Sequence, residues 1–450
     1  MDRVVSVFCG CGGLDLAFRE EGFDLAYACD NDPAAVDAYA RNVDPRVHLR
    51  DVTSPAFQSE VEQLGPCEVV LGGFPCQGFS KAGPKEQDDP RNLLYRKMLH
   101  VVERVSPRVF VAENVDGVAQ NYGGAYMRNI QKDFAEIGYK VDCHILDAAA
   151  YGVPQHRRRV FFVGIPEHLD CEFQWPLATH KAKARNGEFK VADATPQLPL
   201  LSSSMPISTR QLPPARTIED AIGDLIQLDP NIPDHQVTRK WPPKYEAIFR
   251  AIGPGQKLCN VRHSVTSVYT WDIPEAFGQI SIRERCILET IGKNRRHKRY
   301  GSIPNGNPLP EEEIAALSGV CDIGDDLRSL LDKGYLKEKR GGYDLKGAMF
   351  CSGLFKRPRW DEPSPTVLTV FHNPRYFLHP LQNRPFSLRE CARLQGFPDE
   401  FVLTSREGNV DLVSGYRLIG NAVPPPLAAA VARSVKNILK AAEVVEGIRA

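Results

Sequence analysis

The stretch VVSVFCGCGG, residues 4–13, decides the fold, because a run of strand-forming residues passes directly into glycines. Valine and phenylalanine favour a strand as far as Phe8. A helical pattern follows through Leu14, Phe18 and Glu21. The stretch therefore predicts a strand, a glycine-rich turn and a helix. Its spacing is not the GxGxxG of dinucleotide-binding proteins, so it is either a cofactor loop or simply a tight turn.

Further β-rich runs alternate with helical segments along the first third of the chain. The runs lie at 25–29, 48–50, 69–71, 109–112 and 160–163, and helices are predicted at 93–105 and 125–137. This alternation predicts an α/β fold with a doubly wound, Rossmann-like sheet. Ligands bind such sheets outside the carboxyl ends of the strands. The residues predicted at that edge are Gly10, Asp30, Asp51, Cys76 and Glu113.

Composition describes an ordinary globular chain and limits its partners. The chain has 450 residues with 56 basic and 56 acidic side chains, so a nucleic acid would have to be held by local patches. Its 12 cysteines are scattered without CxxC pairs, which favours reduced thiols and predicts neither disulfides nor a metal site. No signal peptide or membrane span is evident, and we expect a soluble, cytoplasmic protein.

The segment GGFPCQGFS, residues 72–80, places Cys76 on a loop directly after an apolar run. Small and polar neighbours leave the sulfur accessible, as a nucleophile requires. An inert loop cysteine is the alternative interpretation.

Two more segments combine apolar strands with ionisable groups. Glu113 follows the apolar run 109–112, where a carboxyl group should resist ionisation; a helix cap is the alternative. In QHRRR, residues 155–159, alternate positions predict that Gln155, Arg157 and Arg159 share one face.

Asp30 and Asp51 follow strands at positions suited to the ribose and adenine of a nucleoside, although each could be a cap or a solvated loop residue.

Six motifs occur in a fixed order and carry a family resemblance. They are FCGCGG at 8–13, GFPCQ at 73–77, ENV at 113–115, QHRRR at 155–159, RECARLQGFP at 389–398 and GNAVP at 420–424. In this order they resemble the cytosine-5 DNA methyltransferases. The resemblance spans almost the whole chain and includes a variable stretch where that family keeps its target recognition domain.

The resemblance implies a mechanism. The Cys76 thiolate would add to C6 of cytosine, and the resulting enamine would attack the methyl group of S-adenosylmethionine. Glu113 would hold N3 and the exocyclic amine, with Arg159 reaching O2 and Arg157 supporting the pocket. The base must leave the duplex stack to be attacked. The catalytic residues implied are Pro75, Cys76, Gln77, Glu113, Asn114, Arg157 and Arg159.

The same resemblance implies an S-adenosylmethionine site. Its residues would be Phe8, Gly10, Gly12, Gly13, Asp30, Asn31, Asp51, Val52, Leu93, Asn421 and Ala422. Because Asn421 and Ala422 would close this site, we expect the final helix to pack beside the first strand. Two residues depart from the family: Asp30 replaces a usual glutamate, and Ser6 replaces an aspartate that often precedes the phenylalanine.

We predict three regions: 1–178 as the first part of the catalytic domain, 179–355 as the target recognition domain with its linker, and 356–450 as the segment returning to the catalytic domain. Residues 280–346 read as three helices and a hairpin, a winged-helix-like unit. The basic run 293–299 and the hairpin are predicted to face double-stranded DNA, although such a run could also be a solvated loop. The residues are Lys293, Arg295, Arg296, Lys298, Arg299, Lys337, Lys339 and Arg340.

The leading interpretation is a sequence-specific DNA cytosine methyltransferase of bacterial modification or restriction-modification type, with a possible cognate restriction endonuclease. Three alternatives stay open. A tRNA cytosine-5 methyltransferase would keep the chemistry, although the large insert at about 180–350 favours DNA. A winged-helix regulator would bind DNA without catalysis, and a nicotinamide oxidoreductase would leave Cys76 and Glu113 unexplained.

Overall fold

The computed structural model describes residues 1–75, 94–120, 124–182, 212–237, 240–259, 264–303, 306–346, 354–403 and 411–449. The chain forms two compact units. The first unit comprises Met1–His235, Asp361–Thr369 and Leu388–Ala450, and the second comprises Gln236–Trp360 and Val370–Ser387.

A seven-stranded sheet forms the centre of the first unit, in the order β3-β2-β1-β4-β5-β7-β6. Its strands are β1 (Arg3–Val7), β2 (Asp24–Asp30), β3 (Val47–Leu49), β4 (Val69–Gly72), β5 (Val109–Val115), β6 (Tyr139–Asp147) and β7 (Arg158–Pro166). The pairs from β3 to β5 are parallel, whereas β7 runs antiparallel to both β5 and β6. The predicted α/β sheet is confirmed, and β6 is a strand that the sequence did not reveal.

The helices of the first unit cover this sheet. They are α1 (Gly13–Glu20), α2 (Pro33–Asn42), α3 (Pro55–Gln63), α4 (Tyr95–Val105), α5 (Gly117–Gln120), α6 (Ala125–Glu136) and α7 (Ile218–Ile222). The C-terminal part adds α13 (Leu388–Leu394), α14 (Leu412–Asn421) and α15 (Pro425–Arg449), and short 3₁₀ helices lie at Ala148–Tyr151 and Glu167–Leu169.

The winding of the chain creates a switch point between β1 and β4. The chain moves from β1 outwards to β3 and then returns to β4 on the other side of β1. Because crossovers between parallel strands are right-handed, α1 and α2 cover one face and α3 and α4 the other. The crevice for ligands in such a sheet lies at the carboxyl ends of the strands flanking this point. The loops there are the glycine-rich turn after β1 and the Gly73–Pro75 segment after β4.

The last helix returns to the beginning of the chain, as predicted. The apolar side chains Leu427, Val431, Val435 and Ile438 of α15 are buried, and α15 packs against α1. Nη1 of Arg433 lies 2.7 Å from Oε1 of Glu21, which follows α1. The last helix α15 thus contacts α1, the helix that follows β1, whereas the sequence predicted contact with β1 itself.

The second unit is built from short elements. They are α8 (Pro243–Ala251), β8 (Lys257–Leu258), β9 (Ser267–Val268), α9 (Pro274–Phe277), α10 (Ile282–Asn294), α11 (Glu311–Ser318), α12 (Gly324–Asp332), β10 (Leu336–Lys339) and β11 (Gly342–Leu345), with 3₁₀ helices at Thr270–Asp272 and Lys298–Tyr300. Ser281 and Glu284 form the predicted capping box of α10. The predicted three helices and hairpin are present in 280–346, around a core that includes Ile287, Leu309 and Leu327.

The bounds of the two units differ from the predicted regions. The second unit begins at Gln236, whereas the sequence placed a boundary at 179. The described residues 212–235 lie in the first unit because α7 packs against α13 and the N–H of Ile218 donates to the carbonyl of Glu362 (3.0 Å). Such long-range contacts are not visible in local composition.

Candidate active site

The turn after β1 is shaped by left-handed backbone conformations. Gly10 and Gly12 have φ of +57° and +89°, which glycine adopts at little cost. Phe8 also has a positive φ, +56°, which is unusual for an aromatic residue and is typical of functional sites. A Cβ on Gly10 would meet no atom of the described residues within 4 Å, so they leave space beside this turn for a ligand.

Asp30, at the end of β2, fixes the turn. Its Oδ2 accepts from the N–H of Gly10 and its Oδ1 from the N–H of Asp32, each at 2.9 Å. A carboxylate oxygen has two lone pairs, so both oxygens can accept one further hydrogen bond from a ribose hydroxyl. Burial raises the pKa of Asp30, and the two backbone N–H groups oppose that rise.

Asp51 and its neighbour occupy a different environment. Asp51 is exposed, and its Oδ1 accepts from the N–H and the hydroxyl of Thr53. These hydrogen bonds lower the pKa of Asp51 below its ordinary value. Val52 is buried, and Asn31 is exposed.

The C-terminal motif comes directly against the first turn. A Cβ on Gly13 would lie 2.3 Å from the carbonyl oxygen of Val423 and 3.3 Å from Cβ of Ala422. Only glycine permits that approach at residue 13. Asn421 is exposed at the end of α14, and Arg417 of the same helix forms an ion pair with Asp32. Residues separated by about 400 positions therefore meet at the edge predicted to bind the cofactor.

The Gly73–Pro75 segment lies beside Glu113. A Cβ on Gly73 would be 3.7 Å from Oε2 of Glu113 and 3.7 Å from the carbonyl oxygen of Phe8. The side-chain amide of Asn114 donates to the carbonyl of Phe74 (2.9 Å), which fixes the segment to β5. Pro75 is the last described residue before Cys76. Cys76, Gln77 and Leu93 lie outside the described residues.

Glu113 and Arg159 form a buried pair across β5 and β7. Nε of Arg159 lies 2.7 Å from Oε1 of Glu113. A carboxylate oxygen has two lone pairs, so this buried oxygen can contact Arg159 and still accept a hydrogen bond from a ligand. Burial raises the pKa of the Glu113 carboxyl, and the guanidinium groups of Arg159 and Arg157 oppose that rise. The predicted acid with a raised pKa is therefore present beside a cation.

Arg157 is fully buried and makes different contacts from Arg159. Its Nη1 donates to the carbonyl of Val367 (3.1 Å) and its Nη2 to the carbonyl of Gly420 (2.8 Å). Its positive charge still acts on Glu113. The hydrogen bonds place Arg157 as a support for the end of α14.

The predicted DNA-binding residues separate into different groups. Arg295 is buried and binds Asp344 through both carboxylate oxygens, at 2.8 and 3.0 Å. The prediction that Arg295 contacts phosphate is wrong, because Arg295 forms an ion pair with Asp344 inside the second unit. Arg299 is paired with Glu313. Arg296 and Lys298 are exposed and line an open recess.

The remaining predicted cations are on the surface of the second unit. Lys293 lies 3.7 Å from Glu289, and Lys337 lies 3.6 Å from Asp344. Lys339 and Arg340 are exposed at the hairpin turn, where Arg340 and Gly341 have φ of +53° and +73°.

Sequence reasoning missed the buried carboxyl group of Asp15 and the contact between two buried glutamines of the first unit. Asp15 of α1 is fully buried, and so are Gln155 and Gln395, which bond to each other (2.9 Å). Both glutamines lie within motifs that we quoted, but no local signal shows that residues 240 positions apart are in contact.

The fold and this site define an α/β enzyme of the Rossmann-like methyltransferase class. The family model described as C-5 cytosine-specific DNA methylase matches residues 3–437. The chain therefore belongs to the C-5 cytosine-specific DNA methylases, and it is a DNA cytosine-5 methyltransferase.

Curated relatives agree with this assignment, and a solved structure shares the fold. The chain is 31% identical to the Type II methyltransferase M.AgeI of Thalassovita gelatinovora, over 96% of this chain and 99% of that protein. It is 28% identical to the Type II methyltransferase M.HgiCII of Herpetosiphon aurantiacus, over 97% of each. The fold resembles the crystal structure described as a DNA modification methyltransferase encoded within an E. coli prophage, with a TM-score of 0.53, 21% identity and coverage of 98% and 100%.

In the described residues, no helix is long and apolar enough to cross a membrane. Within the same ranges, no group of three histidine, cysteine, aspartate or glutamate side chains could hold a metal ion, and each of the ten cysteines there is a free thiol.

Proposed function

We propose that the chain transfers a methyl group from S-adenosylmethionine to C5 of a cytosine flipped out of duplex DNA, through a covalent bond between Cys76 and C6 of the base. The observation that carries this proposal is the position of Glu113. Its carboxyl group lies beside the segment leading into Cys76, its Oε1 retains accepting capacity, and Arg159 contacts it from β7.

Each side chain has a chemical task in this scheme. The Cys76 thiolate adds to C6, which makes C5 nucleophilic. Glu113 binds N3 and the exocyclic amine while Arg159 stabilises the charge that develops on the ring. Once C5 carries the methyl group, it loses its proton to a water molecule that acts as the base, and the C6–S bond breaks to release 5-methylcytosine and the thiolate.

The turn after β1 fits an S-adenosylmethionine site, which supplies an electrophilic methyl group when bound. The open space beside Gly10 gives room for the cofactor, and Asp30 has acceptor capacity for the ribose hydroxyls. Ala422 and Val423 adjoin the same turn from the C-terminal motif. These contacts support the assignment of Asn421 and Ala422 to the cofactor site, with Phe8 and Asp51 on its adenine side.

The experiment that tests the function is bisulfite sequencing of DNA from bacteria that express the chain. We expect methylated cytosines at one recognition sequence with the wild type and none with Cys76→Ser. The matched control is Cys286→Ser, which changes an exposed thiol on α10 of the second unit.

A covalent trap separates the mechanism from the activity. Duplex DNA with 5-fluorocytosine at the target should give an adduct at Cys76 in the presence of the methyl donor, because C5 then has no proton to lose. Methylation that survives Cys76→Ser, or an adduct at another residue, would contradict the proposed mechanism.

We also propose that the exposed cations Arg296 and Lys298 contact DNA phosphates. The double variant Arg296→Gln/Lys298→Gln should lower the slope of log Kd against log salt by about 2, since each phosphate contact contributes about 0.9. Arg328→Gln is the matched control, because it removes an exposed cation from α12, where Asp325 and Asp326 would repel phosphates. The slope is measured by fluorescence anisotropy. An unchanged slope in the double variant would show that Arg296 and Lys298 do not contact DNA phosphates.

The relatives suggest the biological setting. Those described above are named Type II methyltransferases, and we infer a modification enzyme of a bacterial restriction-modification system. Its partner would be an endonuclease that cleaves the same site when unmethylated, and its DNA substrate implies a cytoplasmic location.

A further inference from the structure

A pair of buried glutamines connects the strand that carries Arg159 to the turn that carries Asn421 and Ala422. We call Gln155 and Gln395 the glutamine pair; both are fully buried. Nε2 of Gln155 donates to Oε1 of Gln395 (2.9 Å) and to the carbonyl of Leu394 (3.1 Å). Buried amides are costly unless their hydrogen bonds are satisfied, so these partners fix both side chains.

The second member of the pair reaches the C-terminal motif. Nε2 of Gln395 donates to the carbonyl of Ile419 (2.6 Å) and, at 3.5 Å, to the carbonyl of Ala422. The Ile419 carbonyl lies in the last turn of α14, where it also accepts the N–H of Ala422 (3.2 Å), and the Ala422 carbonyl lies just after the helix. Gln395 therefore holds the last turn of α14, which contains Asn421, and the adjoining residue Ala422.

The first member of the pair is fixed from the other direction. Its Oε1 accepts from the N–H of Val367 (2.8 Å), and the carbonyl of Val367 accepts from Arg157. Arg157 also donates to the carbonyl of Gly420, and a Cβ on Gly420 would lie 2.4 Å from the nitrogen of Thr369. The same few hydrogen bonds thus hold both β7 and the end of α14.

We propose that the glutamine pair positions the C-terminal turn for S-adenosylmethionine and sets its distance from the base-binding strand. Gln155 and Gln395 are positioning residues, since they act through the carbonyl of Ile419 and the N–H of Val367. The inference rests on the proposed function, because it assumes that Asn421 and Ala422 close the cofactor site.

The first test is the variant Gln395→Met, which keeps the side chain's length and removes its amide. We expect about tenfold weaker binding of S-adenosylhomocysteine by calorimetry, because about 1.4 kcal/mol of hydrogen bonding no longer holds the turn. The affinity for duplex DNA should change less than about twofold, which separates a local effect on the turn from general loss of structure.

A matched control isolates the effect of losing one buried hydrogen bond. Tyr139→Phe removes the bond from the Tyr139 hydroxyl to the carbonyl of Pro107 (2.7 Å), elsewhere in the first unit. It should lower the melting temperature as Gln395→Met does but leave S-adenosylhomocysteine binding unchanged. Equal affinities in Gln395→Met and the wild type would overturn the inference. A wild type that binds no S-adenosylhomocysteine would instead overturn the proposed function.

The second test is a double-mutant cycle. Gln155→Met alone should also weaken S-adenosylhomocysteine binding, although residue 155 lies three positions before β7, because Oε1 of Gln395 loses its donor. The double variant Gln155→Met/Gln395→Met should lose less binding free energy for S-adenosylhomocysteine than the two single variants lose together. The reason is that both single variants remove the same hydrogen bond between the glutamines, which the double variant loses only once. Strictly additive losses would show that the two glutamines act independently.

Discussion

Replacing Glu113 with glutamine is expected to lower kcat for methyl transfer to duplex DNA by about 10³, within the range typical of a missing acid or base group. The substitution keeps the size of the side chain and removes both its charge and its ability to carry a proton at the position of the base nitrogen. Single-turnover methylation, with tritium-labelled methyl donor and saturating DNA, measures the loss.

The size of this effect follows from the environment of the carboxyl group. Glu113 is buried against Arg159, and in a site that excludes water such groups act more strongly on developing charge than they would in solution. A glutamine would also leave the Arg159 guanidinium without its counter-charge, which is unfavourable in a buried site. Part of the loss would therefore be electrostatic and part would come from the missing proton.

Glu21→Gln is the matched control, because Glu21 contacts Arg433 at the far end of α1 from the turn. It should leave the rate unchanged. Binding of S-adenosylhomocysteine by Glu113→Gln should stay within about twofold of the wild type, which would show that the first unit is folded. A rate within tenfold of the wild type would contradict the role of Glu113.

Local patterns in the sequence identified the strands that carry the site. The turn after β1, the strand before Cys76 and the acid at the end of β5 follow from apolar runs that end in glycine or a polar residue. Those patterns extend over about ten residues, so they indicate which loop a residue belongs to. They do not indicate which distant residues contact that loop. Gly13 is an example, because it packs against Val423 of the C-terminal motif.

The basic run illustrates the same limit for charge. Arg295 and Arg296 are adjacent and chemically identical, yet one is buried against Asp344 and the other is exposed. The sequence predicted both as phosphate contacts because the residue that distinguishes them lies about fifty positions further along. Only the packing of β11 against α10 assigns Arg295 to the interior.

Asp15→Asn is expected to stabilise the protein increasingly as pH rises from about 4 to 7. Asp15 is fully buried on α1, and neither carboxylate oxygen accepts an aligned hydrogen bond. Burial raises the pKa of Asp15 to about 7, and nearby Ser6 opposes this only in part. Ser6 stands at the position where the family often has an aspartate, and the buried carboxyl group of Asp15 lies close to it without a cation as partner among the causes of its pKa shift.

The sign of the effect follows from proton binding. Above pH 4 the unfolded chain has lost this proton, whereas the folded chain keeps it until about pH 7. The contribution of Asp15 to stability is therefore complete below pH 4 and is lost as pH rises to 7. Three pKa units correspond to about 4 kcal/mol, which is the largest advantage that a neutral amide could give.

Urea denaturation of wild type and Asp15→Asn at pH 5 and pH 8 measures this advantage. The difference in the free energy of unfolding should grow by about 2 to 3 kcal/mol between the two conditions, because most of the proton loss falls in that interval. Asp51→Asn is the control: hydrogen bonds from Thr53 lower the pKa of Asp51, so its effect should not change above pH 5. A constant difference for Asp15→Asn would mean that Asp15 is ionised throughout, with a partner for its charge.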